Sequence, residues 1–269
     1  MLANLFIHWH PNPDAFHIGN ITIKWYGLMW SIGIIMGYFI ARHVIGVLKL
    51  PVHRLGLAVQ YVFVGGLIGA RLAQVIFYMP EYYIQNPIKI FYVWEGGLAS
   101  HGGMAGAVAG LWLFCRKYPD YPFLLAVEIG VISFFLFAGL VRIGNLINGE
   151  IPGKPTLAPW AFIFHDYIPR HPVVLYEAIL YFTMQGALLL LFHIVKDKLP
   201  GIYLSSSMVV GFTGRFLIEF FKEPEVGIYF NAISHTQMLS FPFIVLGIYF
   251  MITTLQGRWT YGNVVRISA

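Results

Sequence analysis

Residues 25–41 read WYGLMWSIGIIMGYFIA, a run without a single charged side chain. Its apolar character continues to residue 48, and a helix needs about 20 apolar residues to cross the hydrocarbon core of a bilayer. The apolar residues follow one another without the alternation seen along the strands of membrane barrels. The run therefore predicts a transmembrane α-helix, and it decides the fold class of the chain.

The composition of the whole chain agrees with a membrane protein. Its 269 residues are 58% hydrophobic and 11% charged, whereas ordinary globular domains carry about 25% charged residues. The formal charge of +5 could suit nucleic acid, but the 17 Lys and Arg residues are scattered beside apolar runs. Such residues orient membrane helices, so we expect no nucleic-acid partner. The single cysteine, Cys115, is expected to be a small packed residue.

Seven runs of this kind predict an all-α integral membrane protein, built as a single polytopic domain over residues 1–269. Basic residues concentrate in alternate connections, which the positive-inside rule assigns to the cytoplasm. The N-terminus is then periplasmic, the C-terminus cytoplasmic, and the other connections form a small periplasmic head. The predicted spans cover residues 25–48, 56–80, 97–115, 123–147, 173–195, 201–221 and 237–256, and the predicted periplasmic segments cover residues 1–24, 81–96, 148–172 and 222–236.

The second and third predicted spans carry glycine-rich stretches, GGLIGA at 65–70 and GGMAGA at 102–107. Small residues at this spacing allow helices to pack closely in lipid, so we interpret them as packing sites rather than as an internal repeat. Arg71 follows the first stretch directly. Because a buried ionisable group must be paired, Arg71 is interpreted as a structural residue that ties helices together through ion pairs.

Four further polar side chains lie where lipid should exclude them. Arg142 ends the fourth span within RIGNLINGE (142–150). Arg215 lies roughly 21 Å along the sixth span, at about 1.5 Å per residue. Tyr26 opens the first span, and His101 lies near the outer start of the third. The spacing therefore predicts one outer polar layer to which helices from distant parts of the sequence contribute.

Two guanidinium groups beside asparagines suit a phosphate or a similar anion, because they donate paired hydrogen bonds. The structural alternative is that Arg142 and Arg215 only pair with Glu150 and Glu219. His101, between glycine pairs, is either a packed, hydrogen-bonded residue or a group that meets a ligand. The histidines do not show the spacing of metal ligands, and the only cysteine is remote, so the sequence predicts no metal.

Five motifs occur in order along the chain. They are WYG (25–27), EGGLASHGG (95–103), RIGNLINGEIPG (142–153), RHPVVLYE (170–177) and GRFLIEFFKEPE (214–225). Together they resemble the bacterial prolipoprotein diacylglyceryl transferases over essentially the whole chain. The resemblance implies an enzyme of the bacterial cytoplasmic (inner) membrane with its active site towards the periplasm. Such an enzyme moves the diacylglyceryl group of phosphatidylglycerol to the lipobox cysteine thiol of a preprolipoprotein, forming a thioether and releasing glycerol phosphate.

The same resemblance implies the site residues. The family's essential arginines fall on Arg142 and Arg215. The expected catalytic residues are His101, Arg142, Arg215 and Tyr26, and the expected phosphatidylglycerol-binding residues are Arg142, Asn145, Asn148, Glu150, Gly153, Arg215 and Glu219. The chain departs from the family pattern at Val141, Leu146, Val173, Val174 and Lys222, where the family usually has Gly, Phe, Ser, Gln and Arg.

In the catalytic hypothesis the arginines hold the phosphate, Glu150 and Glu219 hold the arginines, and His101 or a water relay takes the thiol proton. The glycine-rich stretches would be thin walls through which lipid substrates enter. We expect no cofactor, and the chemistry requires no oligomer. A transporter or flippase for an anionic lipid is the alternative, because arginines facing a cavity serve such proteins too. A non-catalytic scaffold would have little use for the polar layer.

Overall fold

A computed structural model of the protein describes residues 6–223 and 233–261. The chain divides into two compact units. The first is drawn from Met1–Ala41 and Gly130–Thr260, and the second from Arg42–Ile129 and Tyr261–Ala269. The arginine-bearing motifs of the fourth and sixth predicted spans belong to the first unit, and the motif with His101 belongs to the second.

The described residues form mainly α-helices, because a helix satisfies its own backbone hydrogen bonds where no water is available. The short connections include 3-10 turns, among them Pro87–Phe91 and Glu219–Phe221. The α-helices are α1 Trp25–Val47, α2 Leu55–Ala73, α3 Pro80–Gln85, α4 Ser100–Lys117, α5 Phe123–Ile147, α6 Val173–Val195, α7 Ile202–Ile218 and α8 His235–Leu255.

Six helical segments of the described chain are long and apolar enough to cross a membrane, which is the make-up of a multi-pass membrane protein. The segment predicted as a seventh span, residues 97–115, forms α4, which is not one of the six. This helix has 18 residues, carries several glycines and ends in Arg116 and Lys117, so its apolar content is lower. The six segments are Trp25–Val47, Val52–Tyr78, Phe123–Ile147, Val173–Val195, Ile202–Phe221 and Thr236–Leu255.

Short strands occur in the connections of the first unit, where the sequence predicted none. The strands β1 (Ile7–His8), β4 (Phe162–Ile163) and β5 (Pro169–Arg170) form a three-stranded sheet, in which β1 pairs with β4 in parallel and β4 with β5 antiparallel. The strands β2 (Asp14–Ile18) and β3 (Ile21–Lys24) form a hairpin. Strands of two to five residues are too short to leave a clear alternation of apolar and polar residues.

A small hydrophobic cluster holds this sheet against the end of α5. Leu146, Phe162, Phe164 and Val174 are buried together, and Trp9 packs against them. The indole Nε1 of Trp9 donates a hydrogen bond of 2.8 Å to the carbonyl oxygen of Leu146. The last turn of α5 is therefore fixed by the loop segments that follow and precede it in the sequence.

In the second unit, α2 and α4 pack through their glycines. A Cβ atom at Gly65 would lie 2.4 Å from the carbonyl oxygen of Gly106, and one at Gly69 would lie 2.3 Å from that of Gly102. This confirms the close helix packing expected from the glycine spacing. The two stretches face each other across a helix contact, and their role as thin walls for substrate entry stays a prediction.

The end of α2 departs from α-helical geometry. Gln74–Tyr78 forms a π-helical turn, in which the amide of Met79 donates to the carbonyl oxygen of Gln74 at 3.1 Å. Single π turns of this kind are often found at functional sites. Here the turn leads from the glycine contact of α2 to the aromatic rings of Phe77 and Tyr78, both of which are exposed.

Candidate functional site

The structure brings Arg142 of α5 and Arg215 of α7 together on one carboxylate. Glu177 of α6 lies between them, with its Oε2 at 2.7 Å from Nε of Arg142. Its Oε1 lies 3.6 Å from Nη1 of Arg215. The side chain of Glu177 is 8% exposed, whereas the two arginine side chains are 20% and 28% exposed. The carboxylate is thus buried while both guanidinium groups keep an open edge.

Glycines at the helix contacts make this meeting possible. A Cβ atom at Gly139 of α5 would lie 2.5 Å from the ring of Phe182, and one at Gly214 of α7 would lie 2.6 Å from the side chain of Leu180. Both partners belong to α6, so α5 and α7 approach the same helix closely. Close approach of membrane helices through small residues is a common device, and here it shortens the reach that each arginine needs.

Each arginine has a second polar partner inside the unit. The Nη1 of Arg215 donates to the hydroxyl of Tyr181 at 2.6 Å, and Tyr181 lies one turn along α6 from Glu177. The Nη1 of Arg142 donates to Oδ1 of Asn145 at 3.3 Å. These contacts fix the direction of both guanidinium groups, but an arginine has five N–H donors, so donors remain for a ligand.

The loop after α5 places a second carboxylate among amides. Glu150 accepts hydrogen bonds from Nδ2 of Asn145 at 2.6 Å and from Nδ2 of Asn148 at 2.9 Å. The turn is closed by Gly149, whose φ of +68° suits glycine. The Oδ1 atom of Asn148 is buried and accepts no hydrogen bond from the described residues. A buried acceptor without a partner is unfavourable, and a ligand hydroxyl at this point would satisfy it.

Gly153 is required where the loop passes over the start of α6. A Cβ atom at Gly153 would lie 2.3 Å from the carbonyl oxygen of His171. Gly153 also forms an antiparallel bridge with Lys222, and its carbonyl oxygen accepts a hydrogen bond of 3.1 Å from Arg170. These contacts tie the loop to the residues that follow α7. Lys222 contributes its backbone to this bridge.

Arg170 is not among the predicted site residues, yet it organises the connection between α5 and α6. It is buried and pairs with Asp166 at 2.5 Å and with Glu223 at 2.7 Å. Burial alone would raise the pKa of Asp166, but the hydrogen bonds from Arg170 and from the amide of Ile168 outweigh it and lower that pKa. Burial lowers the pKa of the neighbouring His171. Both shifts belong to a packed connection rather than to the arginine pair.

Tyr26 and Glu219 lie in the same unit as the arginine pair. The ring of Tyr26 packs against α5, since a Cβ atom at Gly144 would lie 2.9 Å from Cδ2 of the ring. Glu219 begins the 3-10 turn after α7 and interacts electrostatically with Arg215. The first unit therefore contains eight of the nine residues predicted for the site, and the ninth, His101, belongs to the second.

His101 lies in the first turn of α4 and is exposed. It borders an open groove of about 380 Å³ in the second unit. Apart from the imidazole, the groove is lined by apolar and aromatic side chains and by backbone. The lining residues are Ala73, Phe77, Tyr78, Ala99, His101, Gly102 and Ala105.

Arg71 is structural, as expected, but its partners differ from those predicted. It is buried, its guanidinium lies 5.0 Å from the ring of Tyr83, and it donates to carbonyl oxygens rather than to a carboxylate. The acceptors are Ile90 at 2.8 Å, Gly96 at 2.7 Å, Gly97 at 2.9 Å, Tyr92 at 3.2 Å and also Lys89. Arg71 thereby folds the segment that leads into α4.

The carboxylate that joins the two arginines was missed from the sequence. We expected Glu150 and Glu219 to hold them, but in the described chain the carboxylate at ion-pair distance from both is Glu177. An acidic residue inside the apolar run of α6 was a signal for it, because ionisable groups in membrane spans are usually functional or paired.

Among the described residues there is no group of three His, Cys, Asp or Glu side chains able to hold a metal ion.

The fold and the site together define a class: a multi-pass helical membrane protein in which three helices hold two arginines on one buried carboxylate, an arrangement able to grip an anion. The family model described as prolipoprotein diacylglyceryl transferase matches residues 13–253. The chain belongs to this family.

Relatives of similar length support the assignment. A phosphatidylglycerol–prolipoprotein diacylglyceryl transferase of Tolumonas auensis is 39% identical over 258 residues, covering 94% of this chain and 99% of the relative. The enzyme of the same name from Chloroherpeton thalassium is 38% identical over 252 residues, covering 92% and 94%. That of Geobacter sulfurreducens is 36% identical over 249 residues, covering 89% and 94%.

Proposed function

We propose that this protein transfers the sn-1,2-diacylglyceryl group of phosphatidylglycerol to the lipobox cysteine of preprolipoproteins, the first step of bacterial lipoprotein maturation. The family and the names of its relatives support this reaction. The structural observation that supports this reaction is the contact of Arg142 and Arg215 with Glu177. Both guanidinium groups stay partly exposed. Guanidinium groups suit phosphate, since each can donate two parallel hydrogen bonds.

The reaction is a displacement at carbon. The thiolate of the lipobox cysteine attacks the glycerol carbon that carries the phosphate ester, a C–S bond forms, and the C–O bond to the phosphate breaks. The electron pair of that bond leaves on the phosphate oxygen, so glycerol phosphate departs with one more negative charge than the phosphodiester had. Arg142 and Arg215 favour this growing charge, and electrostatic stabilisation of this kind is usually the largest catalytic contribution.

The thiol must first lose its proton, because the thiolate is the nucleophile. His101 is the proposed base, since histidine is the side chain that most often serves as a general base and this one is exposed beside a groove. The apolar lining of that groove suits the membrane-borne part of a substrate. A water relay is the alternative route for the proton.

The remaining residues of the site are proposed to orient the headgroup. The free Oδ1 of Asn148 would accept a hydrogen bond from a glycerol hydroxyl, and Asn145 links Arg142 to Glu150. Glu150 accepts hydrogen bonds from the side-chain amides of Asn145 and Asn148 and so fixes the direction of both. Gly153 lets the loop approach the start of α6. Tyr26 packs against α5 beside Gly144, and Glu219 interacts electrostatically with Arg215.

The proposed topology has seven spans, with a periplasmic N-terminus and a cytoplasmic C-terminus, in the bacterial inner membrane. Counting α4 as the seventh span is reasonable because 18 residues extend about 27 Å at ~1.5 Å per residue, and the hydrocarbon core is about 30 Å thick. We propose a single polytopic domain over residues 1–269, with the site towards the periplasm. The chemistry calls for no cofactor, no nucleic acid and no second copy of the chain.

The function is tested by incubating the purified protein with phosphatidylglycerol and a lipobox peptide, then measuring the thioether-linked diacylglyceryl peptide by mass. Arg142→Lys and Arg215→Lys should each lower the transfer rate at least ~10²-fold, the loss typical for one such donor. Lysine keeps the positive charge but cannot donate two parallel hydrogen bonds to a phosphate. Arg54→Lys is the matched control, because Arg54 pairs with Asp120 far from these motifs in the sequence. Absence of product with the unaltered protein would refute the proposal, and lipid movement between leaflets without product would favour a flippase.

The role of His101 has its own test. His101→Gln should slow transfer at neutral pH, and raising the pH towards the thiol pKa of about 8.5 should restore much of the rate, because the peptide thiol then ionises unaided. A variant that keeps the full rate at neutral pH would remove His101 as the base and leave the water relay.

A further inference from the structure

Glu177 poses a problem for a site that must hold a phosphate. Its carboxylate is buried and in contact with both arginines, so a phosphate gripped by the same two guanidinium groups would lie a few ångströms from a negative charge. Among residues 6–223 and 233–261, Glu177 supplies the carboxylate that forms ion pairs with both arginines. A site built only to bind phosphate tightly would not place an acid there.

The charge of the ligand changes during the proposed reaction. The phosphodiester of phosphatidylglycerol carries one negative charge, whereas glycerol phosphate is a monoester whose second pKa is near 6, so it is mainly a dianion at neutral pH. The attraction of the arginines and the repulsion of a carboxylate both scale with ligand charge. Without an opposing acid, two arginines would hold the product more tightly than the substrate.

We propose that Glu177 is a specificity-determining residue that limits the preference of the arginine pair for a dianionic phosphomonoester over a monoanionic phosphodiester. The biological role of Glu177 rests on the proposed function. In that reaction, Glu177 lets glycerol phosphate leave once the C–O bond has broken. The same carboxylate positions both guanidinium groups through its two oxygens, so one side chain both aligns the site and limits its affinity for the product.

Neighbouring acids act in the same direction but from further out. Glu150 reaches Arg142 through the amide of Asn145, and Glu219 interacts with Arg215 electrostatically. Glu150 is exposed and Glu219 half-buried, so water screens their charges more than that of the buried Glu177. Replacing Glu177 therefore changes the electrostatic field at the arginines more than replacing either of the other two.

The test compares two soluble probes that differ in charge: glycerol phosphate and glycerophosphoglycerol, the monoanionic diester that lacks acyl chains. Binding of each to the full-length, detergent-solubilised protein is measured by titration calorimetry at pH 8. In the unaltered protein the dianion should bind less than about tenfold more tightly than the monoanion, because Glu177 offsets part of the attraction of the two arginines. Glu177→Gln should tighten glycerol phosphate roughly 10- to 100-fold and the diester roughly 3- to 10-fold, because repulsion scales with charge. Glu177→Asp, which keeps the charge, should retain the unaltered ratio.

A purely structural role for Glu177 predicts a different pattern, in which Glu177→Gln weakens both probes or shifts both by one factor, and that result overturns the proposal. If Glu177→Gln fails to fold, the unaltered protein still decides: tenfold or tighter binding of the dianion than of the monoanion overturns it. Thioether formation is measured separately. Charge selectivity without product would refute the transferase and leave the selectivity standing, whereas product with equal shifts of both probes would refute only the role of Glu177.

Discussion

Replacing Arg71 with methionine should be among the most destabilising single changes in the second unit. The buried guanidinium donates to five carbonyl oxygens of residues 89–97. A hydrogen bond to a charged group contributes about 1.5–3 kcal/mol, but the five share one side chain and their contributions do not add. The substitution leaves no buried charge behind, but a carbonyl oxygen that loses its donor away from water costs about 1–3 kcal/mol. Because several of the five oxygens lose their donor together, we expect Arg71→Met to lower the free energy of unfolding by about 3 kcal/mol or more.

The matched control is Arg54→Met in the same unit. Arg54 pairs with Asp120, and their side chains are 26% and 46% exposed, so its loss should cost less than about 1 kcal/mol. The assay is unfolding by SDS in mixed micelles, combined with limited proteolysis, which should cleave residues 80–98 faster in Arg71→Met. Unfolding free energies that differ by less than about 1 kcal/mol between the two variants would refute this account of Arg71.

Three further predictions concern packing, pH and the free thiol. Gly106→Ala sets a methyl group 2.1 Å from a carbonyl oxygen across the α2–α4 contact and should cost about 1–3 kcal/mol by overpacking. Gly46→Ala, whose Cβ meets no described atom within 4 Å, should be neutral or stabilising, and equal melting temperatures would contradict the contact. Because the pKa of Asp166 is lowered in the folded protein, its carboxylate stabilises the fold above its unfolded pKa of about 3.9. That contribution is lost as the pH falls through the lower folded value, so the difference in melting temperature between the unaltered protein and Asp166→Asn should shrink from pH 7 to pH 3; a constant difference would argue against it. Cys115→Ala should leave the transfer rate close to unaltered, since this thiol is buried in α4, and a large loss would give it a role.

The helices and the meeting of the two arginines were predictable because both depend on local spacing. Apolar run length fixes a span, and the rise per residue fixes the depth of Arg142 and Arg215 along their helices. The carboxylate of Glu177 was not predictable as their shared partner, because its position depends on how α6 packs between α5 and α7. Glycine contacts such as those at Gly139 and Gly214 decide which face of a helix meets its neighbour. These contacts become visible only in the three-dimensional structure.

The connections were the least predictable part for the same reason. A strand such as β1 has two residues and pairs with a segment more than 150 positions away, so its own sequence carries almost no signal. Arg71 is predicted to be structural because a buried ionisable group needs a partner, but its acceptors are backbone carbonyls, which every residue possesses. Sequence shows which side chains need a partner; it rarely shows that the partner is main chain.

The π-helical turn at Gln74–Tyr78 makes the chain sensitive to length at one point. A π turn holds one residue more than an α turn, so deleting a single residue there would restore regular helix and rotate everything beyond it by about 100°. The glycines upstream would keep their partners, while Phe77 and Tyr78 would swing away from the imidazole that now shares their groove. A one-residue deletion at this turn would therefore change which side chains line the groove beside His101, and no point substitution in the groove would reproduce that change.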